Sequence, residues 1–307
     1  MKIFLSSTYE DLVEYRAKAA QAIERLGQQG IRMEVFGARP DNATIASLEE
    51  IESSDAVLGI YAHRYGYVPS NSTISITEQE FNFAEKKKKP TFCFCVDDDY
   101  PWVPKHMESE PGQSKLKAFK NRINTSVVRD TFTTPEDLAY KVAASLGRFL
   151  ITSKVKAELE NIPRRNEVST DSGRDQVARR AARIQPIISG ARVLLVNDFP
   201  KEMENVISIM HALGVEVEVV TTSEDAIAVL AQHQFDVVVS DMRRGQTPDE
   251  GLRLLNIMRL KGVYLPMILT VGKYEPGRGT PAYAFGITNR VDELLNLLFD
   301  AFERTRG

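Results

Sequence analysis

The chain contains few of the residues that cross-link secreted proteins or bind metal ions. Of its 307 residues, only two are cysteine, four are histidine and one is tryptophan. Cys93 and Cys95 lie in one apolar run, where alternate residues of a strand share a face and do not normally form a disulfide with each other. We therefore expect both cysteines to pack in a core, and we expect a reducing compartment, the cytoplasm.

Long apolar stretches and a strong excess of one charge are also missing. No window of about 18 apolar residues occurs, and the N-terminus becomes polar after Leu5, so we predict neither a membrane-spanning helix nor a signal peptide. The formal net charge is only −3, which gives no general attraction to nucleic acid or to anionic lipid. Neither a membrane nor a nucleic acid is an expected partner.

The sequence does contain two α/β patterns, one in each half. Its length suits two domains of roughly 100–200 residues each, and 43% of the residues are hydrophobic. Strands alternate with helices in both halves, which is typical of parallel βαβ units. We predict two doubly wound, flavodoxin-like parallel-sheet domains, at residues 1–153 and 191–307. Residues 154–190 are rich in arginine and predict a basic linker, a solvated hinge with a short polar helix; a contact for an acidic partner or a nucleic-acid backbone is the alternative.

Hydrophobic periodicity places the individual elements of these two domains. In the first domain we predict strands at 3–5, 32–36, 56–61, 90–96 and 126–129 and helices at 10–26, 43–53, 77–86, 114–122 and 135–153, with a long excursion at 97–111. In the second domain we predict strands at 193–196, 215–221, 236–240, 266–270 and 287–288 and helices at 201–213, 223–232, 250–260 and 291–305. Ser223 is the expected N-cap of its helix.

Polar side chains follow four of the predicted strands in the second domain. Asn197 and Asp198 follow the first strand, Asp241 follows the third, Thr270 ends the fourth and Arg290 lies just after the fifth. In a doubly wound sheet these ends meet at the edge where ligands bind. Carboxylates that converge there can hold Mg²⁺, and an aspartate can accept a phosphoryl group.

The runs that carry these residues, Val193–Asp198, Asp236–Met242 and Leu269–Thr270, resemble the response-regulator receiver family over residues 191–307. The resemblance implies that Asp241 is the phosphoacceptor, that Asn197, Asp198 and Asp241 bind Mg²⁺ and that Thr270 is the switch hydroxyl. Arg290 stands where the family has a lysine. A histidine kinase or another protein is the implied partner, and a receiver kept only as a docking or dimerisation module is the alternative.

Four segments of the first domain, at 4–12, 34–40, 59–66 and 75–81, resemble the uncharacterised DUF4062 family, which is itself similar to TIR domains. The run Glu80-Phe81-Asn82-Phe83-Ala84 fits the pattern around the catalytic glutamate of enzymatic TIR domains. The resemblance implies that Glu80 cleaves the N-glycosidic bond of NAD⁺, that the protein works as a homo-oligomer or filament, and that its setting is antiphage defence.

This chemistry is consistent with the residues around Glu80. A carboxylate near the ribose stabilises the oxocarbenium-like transition state of glycosidic cleavage. Ser6, Ser7 and Thr8 precede a predicted helix and offer a cradle for phosphate. Binding roles are also predicted for two arginines and two tyrosines: Arg39 and Arg64 would pair with a pyrophosphate, and Tyr61 or Tyr65 would stack on a nicotinamide or adenine ring. Helix capping, surface ion pairing and core packing are the simpler interpretations of the same residues.

Three functional hypotheses follow. The first is a TIR-like signalling or effector protein that binds and hydrolyses NAD⁺ and is regulated through the receiver-like domain and self-association. The second is a non-enzymatic signalling adaptor with a phosphorylatable or docking receiver domain. The third is an enzyme similar to nucleoside deoxyribosyltransferases, which also use a glutamate on a doubly wound sheet.

Overall fold

The computed structural model describes residues 1–33, 43–162, 171–272 and 279–307. The chain divides into two compact units, Met1–Gly147 and Arg148–Gly307. Within the described residues, no helix is long and apolar enough to cross a membrane.

The first unit is built on a five-stranded parallel sheet. Its strands are β1 (Lys2–Ser7), β2 (Gln29–Ile31), β3 (Ala56–Tyr61), β4 (Thr91–Val96) and β5 (Arg129–Phe132), in the order β2-β1-β3-β4-β5. Its helices are α1 (Val13–Arg25), α2 (Ala43–Ser53), α3 (Ile76–Lys86) and α4 (Gly112–Ser126), and α5 (Pro135–Glu160) begins in it. All six residues of β3 are buried, as expected for a central parallel strand covered on both faces.

The second unit repeats this topology. Its strands are β6 (Arg192–Val196), β7 (Glu216–Val220), β8 (Val237–Asp241), β9 (Met267–Thr270) and β10 (Gly286–Thr288), in the order β10-β9-β8-β6-β7. Its helices are α6 (Asp171–Ile188), α7 (Glu204–Ala212), α8 (Ser223–Gln232), α9 (Glu250–Leu260) and α10 (Val291–Arg306). Numbered within each unit, both sheets have the flavodoxin-like order 2-1-3-4-5, so the predicted fold class is confirmed.

The basic linker, predicted as a solvated hinge with a short polar helix, is more helical and more buried than predicted where the structure describes it. The end of α5 contributes buried Val155 and Leu159 to the core of the second unit, and α6 contributes five buried side chains to the same cluster: Val177, Ala178, Ala181, Ile184 and Ile188. These residues form one stripe of α6, and the arginines lie between them. The arginine content hid that stripe, because its apolar members are few and two of the five are alanines.

Several predicted boundaries also shift. β2 ends at Ile31, earlier than predicted, and residues 34–36 of the predicted strand lie outside the described part of the chain. β5 begins only at Arg129, because α4 continues to Ser126. The N-cap of α8 is Thr222 and not Ser223: the Thr222 hydroxyl accepts the Asp225 N–H at 3.0 Å. Both cysteines are buried free thiols on β4, as predicted.

Candidate functional sites at the two sheet edges

An acidic site lies at the carboxyl edge of the second sheet. Asp241 ends β8, Thr270 ends β9, and Asp198 lies just after β6. The Thr270 hydroxyl donates to Asp241 Oδ1 at 3.3 Å. Burial raises the pKa of Asp241, and the charge of Asp198 acts in the same direction, while the Thr270 hydrogen bond lowers it. Three of the predicted residues are thus brought together.

The two carboxylates fit a hard cation. Asp198 Oδ2 accepts the Gly245 N–H at 2.8 Å, whereas its Oδ1 is buried without a hydrogen-bond partner. The charges of Asp198 and Asp241 repel each other, and this repulsion contributes to the raised pKa of Asp241. A cation between the two carboxylates would relieve the repulsion and would give Asp198 Oδ1 a partner. Mg²⁺ commonly binds through one or two carboxylates and keeps its remaining waters. Among the residues that the structure describes, no group of three or more acidic, cysteine or histidine side chains offers a fuller metal site.

Two of the residues predicted for this site have other contacts. The Asn197 side-chain oxygen accepts the Phe199 N–H at 2.6 Å, so this amide holds the loop after β6. Arg290 pairs with Asp292, and its Nε donates to Asp292 Oδ1 at 3.1 Å. Neither contact places the side chain on Asp241.

A cation that sequence reasoning missed, Arg244, lies beside Asp241. Arg244 is buried, contacts Ser240, and donates through Nη1 to the Asp241 carbonyl oxygen at 2.9 Å and through Nη2 to Ser223 Oγ at 2.5 Å. Ser223 in turn donates to Glu250 Oε1 at 2.7 Å. The loop after β8 is therefore tied to the first turns of α8 and α9. An arginine three residues after a strand-end aspartate was the only signal available in the sequence.

The predicted catalytic glutamate of the first unit is buried at the carboxyl edge of its sheet. Glu80 lies on α3 and is only 3% exposed, and Ser6 Oγ, near the end of β1, donates to Glu80 Oε2 at 2.5 Å. Burial raises the pKa of Glu80 to about 7, although hydrogen bonds from Ser6 and Ser47 and the charge of Arg16 act in the opposite direction. A carboxyl group with such a pKa can give or take a proton near neutral pH.

The three hydroxyls after β1 have separate partners. Ser6 bonds to Glu80, as described above. Ser7 Oγ accepts from buried Arg16 Nη1 at 2.5 Å and donates to the Thr8 carbonyl at 2.8 Å. The Thr8 hydroxyl interacts with the Asp11 carboxylate and lowers its pKa, against the larger effect of burial, which raises it. None of the three caps α1, whose N-cap residue is Leu12. Sequence reasoning named neither Arg16 nor Ser47, the two residues that surround Glu80 from α1 and α2.

The predicted arginine and tyrosine ligands make contacts within the protein. Tyr61 is 3% exposed, and its ring meets Phe119 edge-on at 5.2 Å, in space left by the missing side chain of Gly59. Tyr65 donates to Glu78, which forms an ion pair with Arg122 at 2.9 Å. Arg64 pairs with Glu10. In this conformation neither tyrosine ring is open to a ligand, and Arg39 lies outside the described residues.

Comparison with known proteins adds one family match and a set of structural similarities. Residues 2–147 match the family model "Domain of unknown function (DUF4062)", which ends at the boundary of the first unit. No curated protein matches the chain significantly.

Among solved structures, the receiver domain of the Francisella response regulator 1452 is 19% identical, with 38% of this chain and 99% of that chain covered and a TM-score of 0.33. The chemotaxis response regulator CheY4 of Vibrio cholerae is 22% identical, with 37% and 99% covered and a TM-score of 0.33. The HemR receiver domain of Leptospira biflexa is 24% identical, with 38% and 98% covered and the same score. At these values the similarity concerns the fold alone and does not assign a role to any residue.

Proposed function

We propose that the protein is a signalling protein whose second unit accepts a phosphoryl group on Asp241. One arrangement supports this above all: the Thr270 hydroxyl is 3.3 Å from Asp241 Oδ1, and the neighbouring Asp198 keeps a buried carboxylate oxygen without a partner. A nucleophile, a hydroxyl and a second acid thus stand at the ends of three parallel strands, where doubly wound sheets bind ligands.

The residues then act in defined ways. A carboxylate oxygen of Asp241 attacks the phosphorus of a phosphorylated donor, a kinase phosphohistidine or acetyl phosphate, and the leaving group takes the electron pair of the broken bond. Mg²⁺, held by Asp198 and Asp241, would neutralise the phosphoryl oxygens. The Thr270 hydroxyl then donates to a phosphoryl oxygen instead of to the carboxylate, and the end of β9 follows it.

Acetyl-phosphate labelling tests this role. With Mg²⁺ present, wild-type protein should gain one phosphate, detected by intact mass spectrometry, and Asp241→Asn should gain none. Asp249→Asn is the matched control, because Asp249 is an exposed aspartate later in the same loop. Wild-type protein that is never labelled would contradict phosphorylation and would favour the adaptor with a docking receiver.

A second candidate function, cleavage of NAD⁺ at its N-glycosidic bond, is supported by Glu80. The carboxyl group is buried, has a pKa raised to about 7, and receives the Ser6 hydroxyl at the ligand-binding edge of the first sheet. Assembly into a homo-oligomer or filament and a place in antiphage defence belong to this candidate. The deoxyribosyltransferase-like alternative uses the same carboxylate on a deoxynucleoside.

Nicotinamide release from NAD⁺ by full-length protein, over a wide range of protein concentration, tests the second candidate. Release should rise faster than linearly with concentration if self-association completes the site. Glu80→Gln should abolish it, whereas Glu85→Gln, an exposed position on the same helix, should not. Turnover of deoxynucleosides instead would select the transferase, and no turnover of either class would leave the first unit as an interaction module.

A further inference from the structure

A tight turn follows β8, the strand that ends in Asp241. We call residues 244–247 the acceptor turn. The Arg244 N–H donates to the Thr247 carbonyl at 3.2 Å, and the Thr247 N–H donates back to the Arg244 carbonyl at 3.0 Å. Gly245 has a φ of +54°, a left-handed conformation that glycine adopts without strain. The acceptor turn therefore has the defined shape of a two-residue hairpin.

The acceptor turn holds Asp198 by one of its two carboxylate oxygens. The Gly245 N–H donates to Asp198 Oδ2 at 2.8 Å, and a main-chain N–H on a carboxylate forms a charge-assisted hydrogen bond. The other oxygen, Oδ1, is buried without a hydrogen-bond partner. The bond from Gly245 thus fixes the orientation in which Asp198 offers Oδ1 to a cation. Hydrogen bonds that orient a metal ligand in this way change metal affinity by about 10–100-fold.

The side chain of Arg244 ties the acceptor turn to the rest of the second unit. It is 6% exposed, and its Nη1 contacts Ser240 and donates to the Asp241 carbonyl at 2.9 Å. Its Nη2 donates to Ser223 Oγ at 2.5 Å and to the Glu250 carbonyl at 3.4 Å. These partners lie on the end of β8 and on the first turns of α8 and α9. The planar fork of a guanidinium can serve both sides at once, whereas the compact ammonium of lysine cannot.

The charge of Arg244 acts on the two acids of the site without occupying them. Asp241 and Asp198 both attract the guanidinium. Within the part of the chain that the structure describes, however, its hydrogen bonds go to hydroxyl and carbonyl oxygens and to neither carboxylate. Arg244 therefore offsets part of the repulsion between the two acids and leaves their carboxylates available to a cation.

We infer that Arg244 is a positioning residue of this site, whose forked guanidinium holds the acceptor turn so that Gly245 keeps Asp198 oriented for Mg²⁺. The inference rests on the proposed phosphorylation of Asp241, and it names the residue that sets the Mg²⁺ requirement of that reaction. Arg244 acts through Gly245 and Asp198 and does not touch the phosphoryl group. The affinity for Mg²⁺ is then controlled from the first turns of α8 and α9.

Arg244→Lys tests the inference, because it keeps the charge and removes the fork. Full-length protein is titrated with Mg²⁺ by calorimetry, at a temperature where circular dichroism shows the variant to be folded. We expect Mg²⁺ to bind about tenfold more weakly than to wild type, with faster hydrogen exchange in peptides that cover 242–249. Arg243→Lys, at the exposed neighbouring position, should change neither property. Unchanged Mg²⁺ affinity, or weaker binding without faster exchange, would refute the positioning role.

Ser223→Ala decides the question if Arg244→Lys does not fold. It removes one acceptor of the guanidinium on α8 and leaves every residue of the acceptor turn in place. Mg²⁺ binding should weaken, and the same peptides should exchange faster. Ser208→Ala is the matched control, because it removes a serine–glutamate hydrogen bond elsewhere in the same unit and should leave Mg²⁺ binding unchanged. Wild-type affinity in Ser223→Ala, or equal losses in the two serine variants, would overturn the inference.

Labelling of Asp241 by acetyl phosphate separates positioning from a general structural role. At saturating Mg²⁺, Arg244→Lys should reach the wild-type extent of labelling. The Mg²⁺ concentration that gives half the maximal rate should rise about tenfold, because the cation site is weakened and the acceptor is intact. A loss of labelling that Mg²⁺ does not restore would assign Arg244 a general structural role instead.

The same measurements distinguish failure of the inference from failure of the proposed phosphorylation. Mg²⁺ binding that is weakened by Arg244→Lys, in a protein that acetyl phosphate never labels, keeps the positioning role and rejects phosphorylation. Labelling of Asp241 with the same Mg²⁺ dependence in wild type and Arg244→Lys keeps phosphorylation and rejects the positioning role. Wild-type protein that binds no Mg²⁺ overturns the inference outright.

Discussion

The carboxyl edges of the two sheets have the same strand topology, but their acidic side chains differ in burial and in hydrogen bonding. In the first unit Glu80 is 3% exposed, with its carboxylate bonded to Ser6. In the second unit Asp241 is half-buried, and the neighbouring Asp198 has an oxygen without a partner. The fold brings an acid to the carboxyl edge of the sheet in both units, from helix α3 in the first and from strand ends in the second. Burial and hydrogen bonding then decide whether such an acid holds a proton or attracts a cation. Similar topology therefore does not predict similar chemistry.

The largest effect should come from removing the buried cation of the second edge. Arg244→Gln leaves the Asp241 carbonyl and two serine hydroxyls without their donor. Because each unsatisfied buried acceptor costs about 1–3 kcal/mol, the free energy of unfolding of the second unit should fall by about 4 kcal/mol. Arg243→Gln, the exposed neighbour, should have almost no effect. Urea unfolding followed by circular dichroism measures both, and equal losses in the two variants would contradict a central role for Arg244.

Stability should depend on pH through Glu80, at the carboxyl edge of the first sheet. The folded pKa of Glu80 is raised from 4.5 to about 7, so the folded state holds a proton that the unfolded chain releases between these values. The free energy of unfolding should therefore fall as pH rises from about 4.5 to about 7, by about 3 kcal/mol, and level off above. Burial raises the pKa of Asp11 as well, so the contribution of Glu80 is isolated by comparison with Glu80→Gln.

Urea unfolding at a series of pH values, followed through Trp102, would measure this dependence within the first unit. The wild type should lose stability relative to Glu80→Gln across the stated window. Parallel pH curves for the two proteins would show that Glu80 ionises alike in the folded and unfolded states.

Binding of a divalent cation at the carboxyl edge of the second sheet should depend on Asp198, whose Oδ1 has no hydrogen-bond partner. Asp198→Asn should weaken Mg²⁺ binding by about 100-fold, since one of two carboxylates is lost, whereas Asp249→Asn should leave it unchanged. Calorimetric titration with Mg²⁺ checks the difference. Equal affinity in Asp198→Asn would place the cation elsewhere.

The smallest change in stability should come from the N-cap of α8, the helix whose first residue, Ser223, bonds to Arg244. Thr222→Ala removes the hydroxyl that caps α8 and should lower the free energy of unfolding by about 1 kcal/mol. Thr221→Ala, one residue earlier, should change it by less than half of that. A reversed ranking would mean that Thr222 does not carry the cap.

Much of the fold was predictable because its signals are local. The bounds of β3, α2, α8 and α9 match the predictions, since each is an apolar pattern with breakers on both sides. The burial of α6 was not predicted, because arginines interrupt its buried residues.

The sites were predictable only in part. Strand ends located Asp198, Asp241 and Thr270, because parallel strands bring their carboxyl ends to one edge. The TIR-like sequence pattern, not a strand end, pointed to Glu80. Their partners Arg16 and Arg244 were not found, since the burial of a charged side chain depends on packing between segments distant in sequence.

The packing of α6 decides where the second unit can be cut from the chain. Arg180 on α6 binds Asp300 at 2.5 Å and Glu303 at 3.0 Å on α10, and its guanidinium lies 5.6 Å from the Phe299 ring centre. A fragment that starts at residue 191, where the receiver resemblance begins, would uncover the apolar side of α10 and would tend to aggregate. We therefore expect a fragment of this unit to fold when it begins near Arg148, the boundary of the second unit, and a gene fusion that borrows this unit should carry both preceding helical segments with it.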